Sequence, residues 1–226
     1  MIASLRKIVS GARALPFTCA VLTACLLASG ANSALAGLQV DAQIKVGIDP
    51  SSLAFTPDGK YLYATNYGDN TVSVIDTALN KVRATITLSP GAGAFLSSVA
   101  ITPDGSTVFV LDGNSTIAVI STSTNTVLKT ISAGPSFGTG LAITQDGAHL
   151  FVSNFSGTVS IINVAEQTRK AIATIQIATG KKVITALGGA RHPNSVVISP
   201  DGTYLCTANS GTPRLQVRGT VSVISR

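Results

Sequence analysis

The 226-residue sequence contains no tryptophan, two histidines, three cysteines and few charged residues, 12% of the chain. The shortage of cysteine excludes a disulfide framework. Cys19 and Cys25 lie in a leader-like N-terminal segment. Its removal leaves Cys206 alone, and a lone thiol forms no internal disulfide. The shortage of histidine excludes an ordinary metal centre, because neither His149 nor His192 has a Cys, Asp or Glu at ligand spacing. A G-x-S-x-G nucleophile elbow and a phosphate-cradling glycine loop are also missing. Catalytic residues, metals and cofactors are all expected to be none on this reading.

The first residues read as an export signal. Arg6, Lys7 and Arg13 precede an apolar run from Ala14 to about Ala28, and Ala34-Leu35-Ala36 forms an A-x-A cleavage site. Residues 1–36 are therefore expected to be a secretory signal peptide, and 37–226 the mature domain. The apolar run falls short of the roughly 20 residues that a spanning helix needs, so the mature chain is expected to carry no transmembrane helix. Leu22-Thr23-Ala24-Cys25 offers an alternative, a lipobox that would leave Cys25 as a lipid anchor. Apolar Leu26-Leu27-Ala28 continue past that cysteine and favour ordinary cleavage into the periplasm or beyond. Charge is divided unevenly. Residues 37–165 hold five bases and eight acids, whereas 166–226 hold eight bases and two acids. An acidic side and a basic side are expected.

What the chain does contain is a repeat. FTPDGKYLYATN starts at Phe55, ITPDGSTVFVLD at Ile101, ITQDGAHLFVSN at Ile143 and ISPDGTYLCTAN at Ile198. Each is followed by an alternating run: NTVSVIDT, STIAVIST, GTVSIINV or GTVSVISR. Asp58, Asp104, Asp146 and Asp201 are separated by 46, 42 and 55 residues. A period of that length built only of strands specifies the blades of a β-propeller. The apolar run before each Asp-Gly reads as an innermost strand, with small residues that let sheets approach. Asp58-Gly59, Asp104-Gly105, Asp146-Gly147 and Asp201-Gly202 read as turns, since Asp bonds the backbone ahead and Gly takes positive φ. Gln145 in place of proline should cost little. Asn66, Asp112, Asn154 and Asn209 end the second strands, at sites suited to an Asx-turn. Cys206 stands where other copies have Tyr63, Phe109 and Phe151, a core position. His149 opens a strand and reads as structural.

The PDG turn, the YATN, VSN and TAN strand ends and the VSVID-like third strand resemble the YVTN β-propeller repeat of exported and surface-layer proteins. The resemblance spans about Ile44 to Ile224. It implies the fold far more strongly than a function, and relatives of this type often have seven blades. The absence of tryptophan does not fit the WD-type repeat.

The fourth copy has three strands. Residues 38–46 read as the missing fourth, pairing beside 219–225 to close a ring of four-stranded antiparallel blades. Four blades in one all-β domain are expected. Two chains forming an eight-bladed homodimeric ring, and a shortened piece of a larger propeller, are the alternatives.

The loops at the Asn-ended, upper face of the blades are the expected site. Residues 178–194 carry Lys181, Lys182, Arg191 and His192, and 209–219 carry Arg214 and Arg218. Both loops exceed what the repeat needs, and long loops on a rigid scaffold usually carry function. Tyr67 and Phe155 follow the turn asparagines and offer stacking faces. These residues suggest an anionic ligand or a protein partner. Nucleic acid is disfavoured, since no recognised binding motif is present. The expected function is an exported, non-enzymatic binding or scaffold protein. The alternatives are a propeller enzyme, lactonase-like or a quinone-linked oxidoreductase, and a cell-surface attachment protein.

Overall fold

The computed structural model describes residues 40–88, 96–112, 115–134, 137–165, 173–176, 192–210 and 220–225. The chain divides into two compact units, Met1–Gln43 and Ile44–Arg226. All described strands belong to the second unit. Among the described residues no helix is long and apolar enough to cross a membrane.

Three four-stranded antiparallel meanders follow one another. They are β1 (Pro50–Phe55) to β4 (Lys81–Thr87) with β2 (Tyr61–Asn66) and β3 (Thr71–Asp76) between; β5 (Ser98–Ile101), β6 (Thr107–Leu111), β7 (Thr116–Ser121) and β8 (Thr126–Ser132); and β9 (Gly138–Ile143), β10 (His149–Asn154), β11 (Thr158–Asn163) and β12 (Ala173–Gln176). A fourth sheet holds β13 (His192–Ile198), β14 (Tyr204–Ser210) and β15 (Thr220–Ser225). The fold is all-β and propeller-like, built of the expected blades.

The turn between the first two strands repeats one hydrogen-bond pattern four times. Thr56 Oγ1 donates to Asp58 Oδ1 at 2.6 Å, and that oxygen also accepts the Lys60 N–H at 3.1 Å. Tyr61 N–H returns to Thr56 Oγ1 at 3.0 Å. Thr102 with Asp104, Thr144 with Asp146 and Ser199 with Asp201 do the same. Gly59, Gly105, Gly147 and Gly202 take φ of 70–73°, which a Cβ would penalise. The third copy keeps the geometry with Gln145, since the proline contributes no bond to it.

These bonds make the turns acid-sensitive. The Thr56 hydroxyl and then the Lys60 N–H hold the Asp58 carboxyl down at about 2. The Ser199 hydroxyl and then the Thr203 N–H hold Asp201 at about 2. An unfolded carboxyl titrates near ~3.9. A depressed native pKa stabilises fully above the unfolded value and loses its contribution as pH falls through the native one. Melts followed by circular dichroism should lose temperature between about pH 4 and pH 2. The Asp58→Asn/Asp201→Asn variant should lose less over that range.

Neighbouring blades bury their facing sides. Tyr63, Val72, Val74 and Ile86 of the first pack against Val99, Val108, Val110 and Ile120 of the second. Phe109, Ile117 and Val119 of the second meet Leu141, Leu150 and Val152 of the third. Phe151 and Val159 of the third meet Val196 and Leu205 of the fourth. Inner strands touch in the order β1, β5, β9, β13, and β13 makes no comparable contact with β1.

Two expectations are corrected here. Residues 40–46, the described part of the expected closing strand 38–46, form no strand, and the fourth sheet has three strands among the described residues. The inner strands of the first and fourth blades lack the contact that joins successive blades, so the described residues 40–46 have no edge of the fourth sheet to pair with. Cys206 is half-buried rather than core. It lies on the side of the fourth blade that no following blade covers.

Candidate functional site

The antiparallel order places the start of β1, the end of β2 and the start of β3 at one end of the blade, opposite the Asp-Gly turns. That upper end in the described residues is built from Gly47–Ser52, Asn66–Asn70, Asp112 and the segments around Phe137 and Phe155. Its floor is a set of buried asparagines. Asn66 Nδ2 donates to Thr71 Oγ1 at 2.8 Å and Ser73 Oγ at 3.0 Å. Asn154 Nδ2 donates to Thr158 Oγ1 at 3.1 Å and Ser160 Oγ at 2.8 Å. In the second copy Asp112 accepts from the Thr116 N–H at 3.0 Å and its hydroxyl at 2.5 Å. The asparagines thus bind across to the third strand, a role beyond the Asx-turn expected of them. Gly134 (φ 139°) lies against the same group, where a Cβ would fall 2.3 Å from Ser160 Oγ and 3.1 Å from Asn154 Oδ1.

Above this floor the loops are tied down by backbone bonds. Tyr67 N–H donates to Asp49 O and Gly68 N–H to Ile48 O, both at 2.9 Å. Phe155 N–H donates to Phe137 O at 2.7 Å. Tyr67 and Phe155 are therefore held at the same end of the fold, both partly exposed as expected. Each has a second exposed apolar residue in the loop that it binds, Ile48 and Phe137. Sequence reasoning missed these two. The signal was their place nine or ten residues before the Asp-Gly pair.

Two acids at this end, Asp69 and Asp112, are engaged internally, and a third, Asp49, is exposed. Asp69 accepts the Ile48 N–H at 2.9 Å and the Thr71 hydroxyl at 2.7 Å. Burial pushes the Asp69 carboxyl up, and the bonds from Thr71 and Ile48 outweigh it, leaving it below the usual value. No group of three or more His, Cys, Asp or Glu among the described residues would hold a metal ion. Lys181, Lys182, Arg191, Arg214 and Arg218 lie outside the described residues. His192 opens β13, its backbone paired with Ser210.

A second feature of the upper end escaped the sequence reading. At one repeat position an inner-strand residue sends a hydroxyl to the next blade. Ser51 Oγ donates to Leu96 O at 2.6 Å, Ser97 Oγ to Gly138 O at 3.3 Å and Thr139 Oγ1 to Pro193 O at 2.5 Å. Ser51 and Thr139 sit at bulges, where the register skips from Pro50 to Ser52 and from Gly138 to Gly140. A bulge re-aims a side chain out of the pleat. Here it joins blade to blade.

The fold is that of a β-propeller, and comparison with known proteins narrows the class. The sequence model of the family described as "Lactonase, 7-bladed beta-propeller" matches residues 28–186 and 97–218. Overlapping matches are what an internal repeat produces. The chain belongs to this lactonase, seven-bladed β-propeller family. It is 29% identical over 106 residues to "Seven-bladed beta-propeller protein Rv1057" of Mycobacterium tuberculosis, covering 46% of this chain and 26% of that protein. It is 49% identical over 39 residues to "Hydrazine synthase subunit beta" of Kuenenia stuttgartiensis, covering 17% of this chain and 10% of that one. The solved structure "Kuenenia stuttgartiensis Hydrazine Synthase" superposes with a TM-score of 0.61 at 20% identity, covering 84% of this chain and 53% of that one. The chain thus spans about half the length of that structure, and a smaller share of the two relatives.

Proposed function

We propose that this chain is an exported, non-enzymatic propeller of YVTN-type repeats that binds an anionic ligand or an acidic protein surface at its upper end. The observation that carries the reading is the placement of Tyr67 and Phe155, with Ile48 and Phe137, at the end to which the sequence assigns the basic loops 178–194 and 209–219. Aromatic faces beside guanidinium groups suit planar or sugar-like anions. Two of the acids at this end, Asp69 and Asp112, are occupied by Thr71, Ile48 and Thr116, which leaves Asp49 as the exposed acid there against the bases of the two loops.

The test uses two probes, inorganic polyphosphate and an acidic polysaccharide, with affinity followed by titration calorimetry. Arg191→Ala/Arg214→Ala/Arg218→Ala should weaken binding by about tenfold or more, and a rise in salt from about 0.05 to 0.3 M should act in the same direction. Indifference of both probes to charge and salt would sink the reading. The family match supports a second reading, hydrolysis of a lactone at the same end. Turnover of a panel of lactones by the purified chain would replace the first reading with it.

A further inference from the structure

The seam between the first and second blades carries polar groups that the fold does not require. The outer strands of these two blades share a bulge. In the first, Val74 pairs with Ala84 and Ile75 with Val82, which leaves Arg83 as the extra residue. In the second, Val119 pairs with Lys129 and Ile120 with Val127, which leaves Leu128. A bulge re-aims its residue out of the pleat. Arg83 is turned over Tyr61, its guanidinium carbon 5.5 Å from the ring centroid, and its Nη1 donates to Tyr61 Oη at 3.0 Å. The second blade builds the same bulge with Leu128, and opens its second strand with Thr107 where Tyr61 stands. Neither the arginine nor the phenol is needed for the bulge to form.

Tyr61 and Tyr63 lie two apart on β2 and share the forward face of the first blade, the one turned toward the second. Tyr63 is buried there, yet it bears a hydroxyl where Phe109 and Phe151 have none. That hydroxyl crosses the seam and donates to Asn125 Oδ1, in the turn after β7, at 2.8 Å. Burial and then the nearby Tyr61 hold the Tyr63 phenol above its usual range, so it stays protonated and donating.

These bonds leave donors without acceptors. Tyr61 Oη accepts from Arg83, and its own proton remains for another partner. Arg83 spends one N–H on that phenol and forms no ion pair among the described residues. Asn125 Nδ2 meets no acceptor among them either. The facing segment 121–126 reads Ser-Thr-Ser-Thr-Asn-Thr and carries no charge. The acids at this end of the first blade are engaged. Asp76 Oδ1 accepts the N–H groups of Ala78 and Leu79, both at 3.0 Å, and Asp58 is bonded to Thr56 and Lys60.

The geometry points to a binding site for a phosphate group at this seam, held by the Arg83 guanidinium, the Tyr61 hydroxyl and the Asn125 amide. A guanidinium offers a fork of N–H donors, and the phenol and the amide add donors from two further elements. A tetrahedral oxyanion presents oxygens to all three, whereas a carboxylate has two oxygens in one plane. A cation stacked on a ring would have no use for the phenol oxygen. The seam lies at the Asp-Gly end of the blades, opposite the upper end, and does not rest on the ligand reading given above.

With four tyrosines in the chain, labelling their Cζ carbons gives four NMR signals, each assigned by its Tyr→Phe variant. The chain tested carries Arg191→Ala/Arg214→Ala/Arg218→Ala, which removes upper-end bases. Inorganic phosphate is titrated in at constant ionic strength, with glycerol phosphate and acetate in parallel series. The Tyr61 and Tyr63 signals should shift saturably with a Kd near about 1 mM, while Tyr67 and Tyr204 stay in place. Arg83→Leu, the residue that the second blade uses at this bulge, should weaken binding by about tenfold or more at an unchanged melting temperature. Arg83→Lys should recover only part of it, since an ammonium lacks the fork. Tyr61→Phe keeps the ring and should weaken binding several-fold, read at Tyr63. Tighter binding of glycerol phosphate assigns the site to a phosphate borne on a larger molecule, and tighter binding of inorganic phosphate to the free ion. Absence of a saturable shift at Tyr61, an equal response to acetate, or indifference to Arg83→Leu overturns the proposal.

Discussion

Asn154→Asp is expected to cost about 3 kcal/mol or more at pH 7, and far less at about pH 4. The side chain is fully buried. Its Nδ2 serves Thr158 and Ser160, and its Oδ1 is enclosed without a hydrogen-bond partner. An aspartate of the same shape places a carboxylate oxygen there with no donor and no cation. Burial disfavours the charged form, so the folded carboxyl titrates above the ~3.9 of the unfolded chain. A raised native pKa gives stability that is present below the unfolded value and lost as pH rises through the native one. The limit is about 1.4 kcal/mol per pH unit across that window. Urea midpoints of variant and wild type, compared at each pH, read it directly. Asp112→Asn is the control. That position accepts the Thr116 N–H on Oδ1 and its hydroxyl on Oδ2; in asparagine the amide oxygen keeps the first bond and Nδ2 donates to the Thr116 hydroxyl, as Asn66 does to Thr71. A loss under about 1 kcal/mol is expected. A pH-independent Asn154→Asp would show that the floor of the upper end admits water or a cation.

Leu141→Ala and Leu53→Ala should differ by several-fold although the repeat equates them. Leu141 fills the contact between the second and third blades with Phe109, Leu111 and Leu150. Truncating a buried leucine costs about 2–5 kcal/mol, and the range depends on how far the cavity collapses. Leu53 lies on the backward face of the first blade. In a single chain its truncation should cost under about 1 kcal/mol, because little area is removed from contact. Chemical denaturation of the two variants and the wild type measures both. Equal losses would mean that the first blade already has a neighbour.

Much of the fold was legible because it is local. Pro-Asp-Gly, alternation in TVSVID and the spacing of the copies are properties of short segments, and each blade formed where they said. The Thr or Ser two residues before each Asp was in view, and its hydroxyl bond to that carboxylate was the part left unread. The candidate site was legible only in outline. Tyr67 and Phe155 stand where the repeat put them, but their companions Ile48 and Phe137 are loop residues outside the repeat pattern. The hydroxyls of Ser51, Ser97 and Thr139 were hidden for a different reason. Ser51 and Thr139 act through bulges, and a bulge is a register shift between two strands that neither strand's sequence declares.

By itself the sequence determined strand, turn and blade, because each follows from alternation, backbone conformation and hydrogen bonds within some forty residues. It also settled that Asp58, Asp104, Asp146 and Asp201 belong to turns, where their bonds now account for a lowered pKa at Asp58, Asp104 and Asp201. Only the tertiary structure decided which apolar faces are covered. Leu53 and Leu141 look alike in the chain, as do Val72 and Val221, since burial is conferred by the neighbour and not by the residue. The same reason undid the expected closure. Pairing residues 38–46 with 219–225 required the first and fourth blades to meet, a long-range arrangement that no single repeat encodes, and the described strands of those two blades make no such contact.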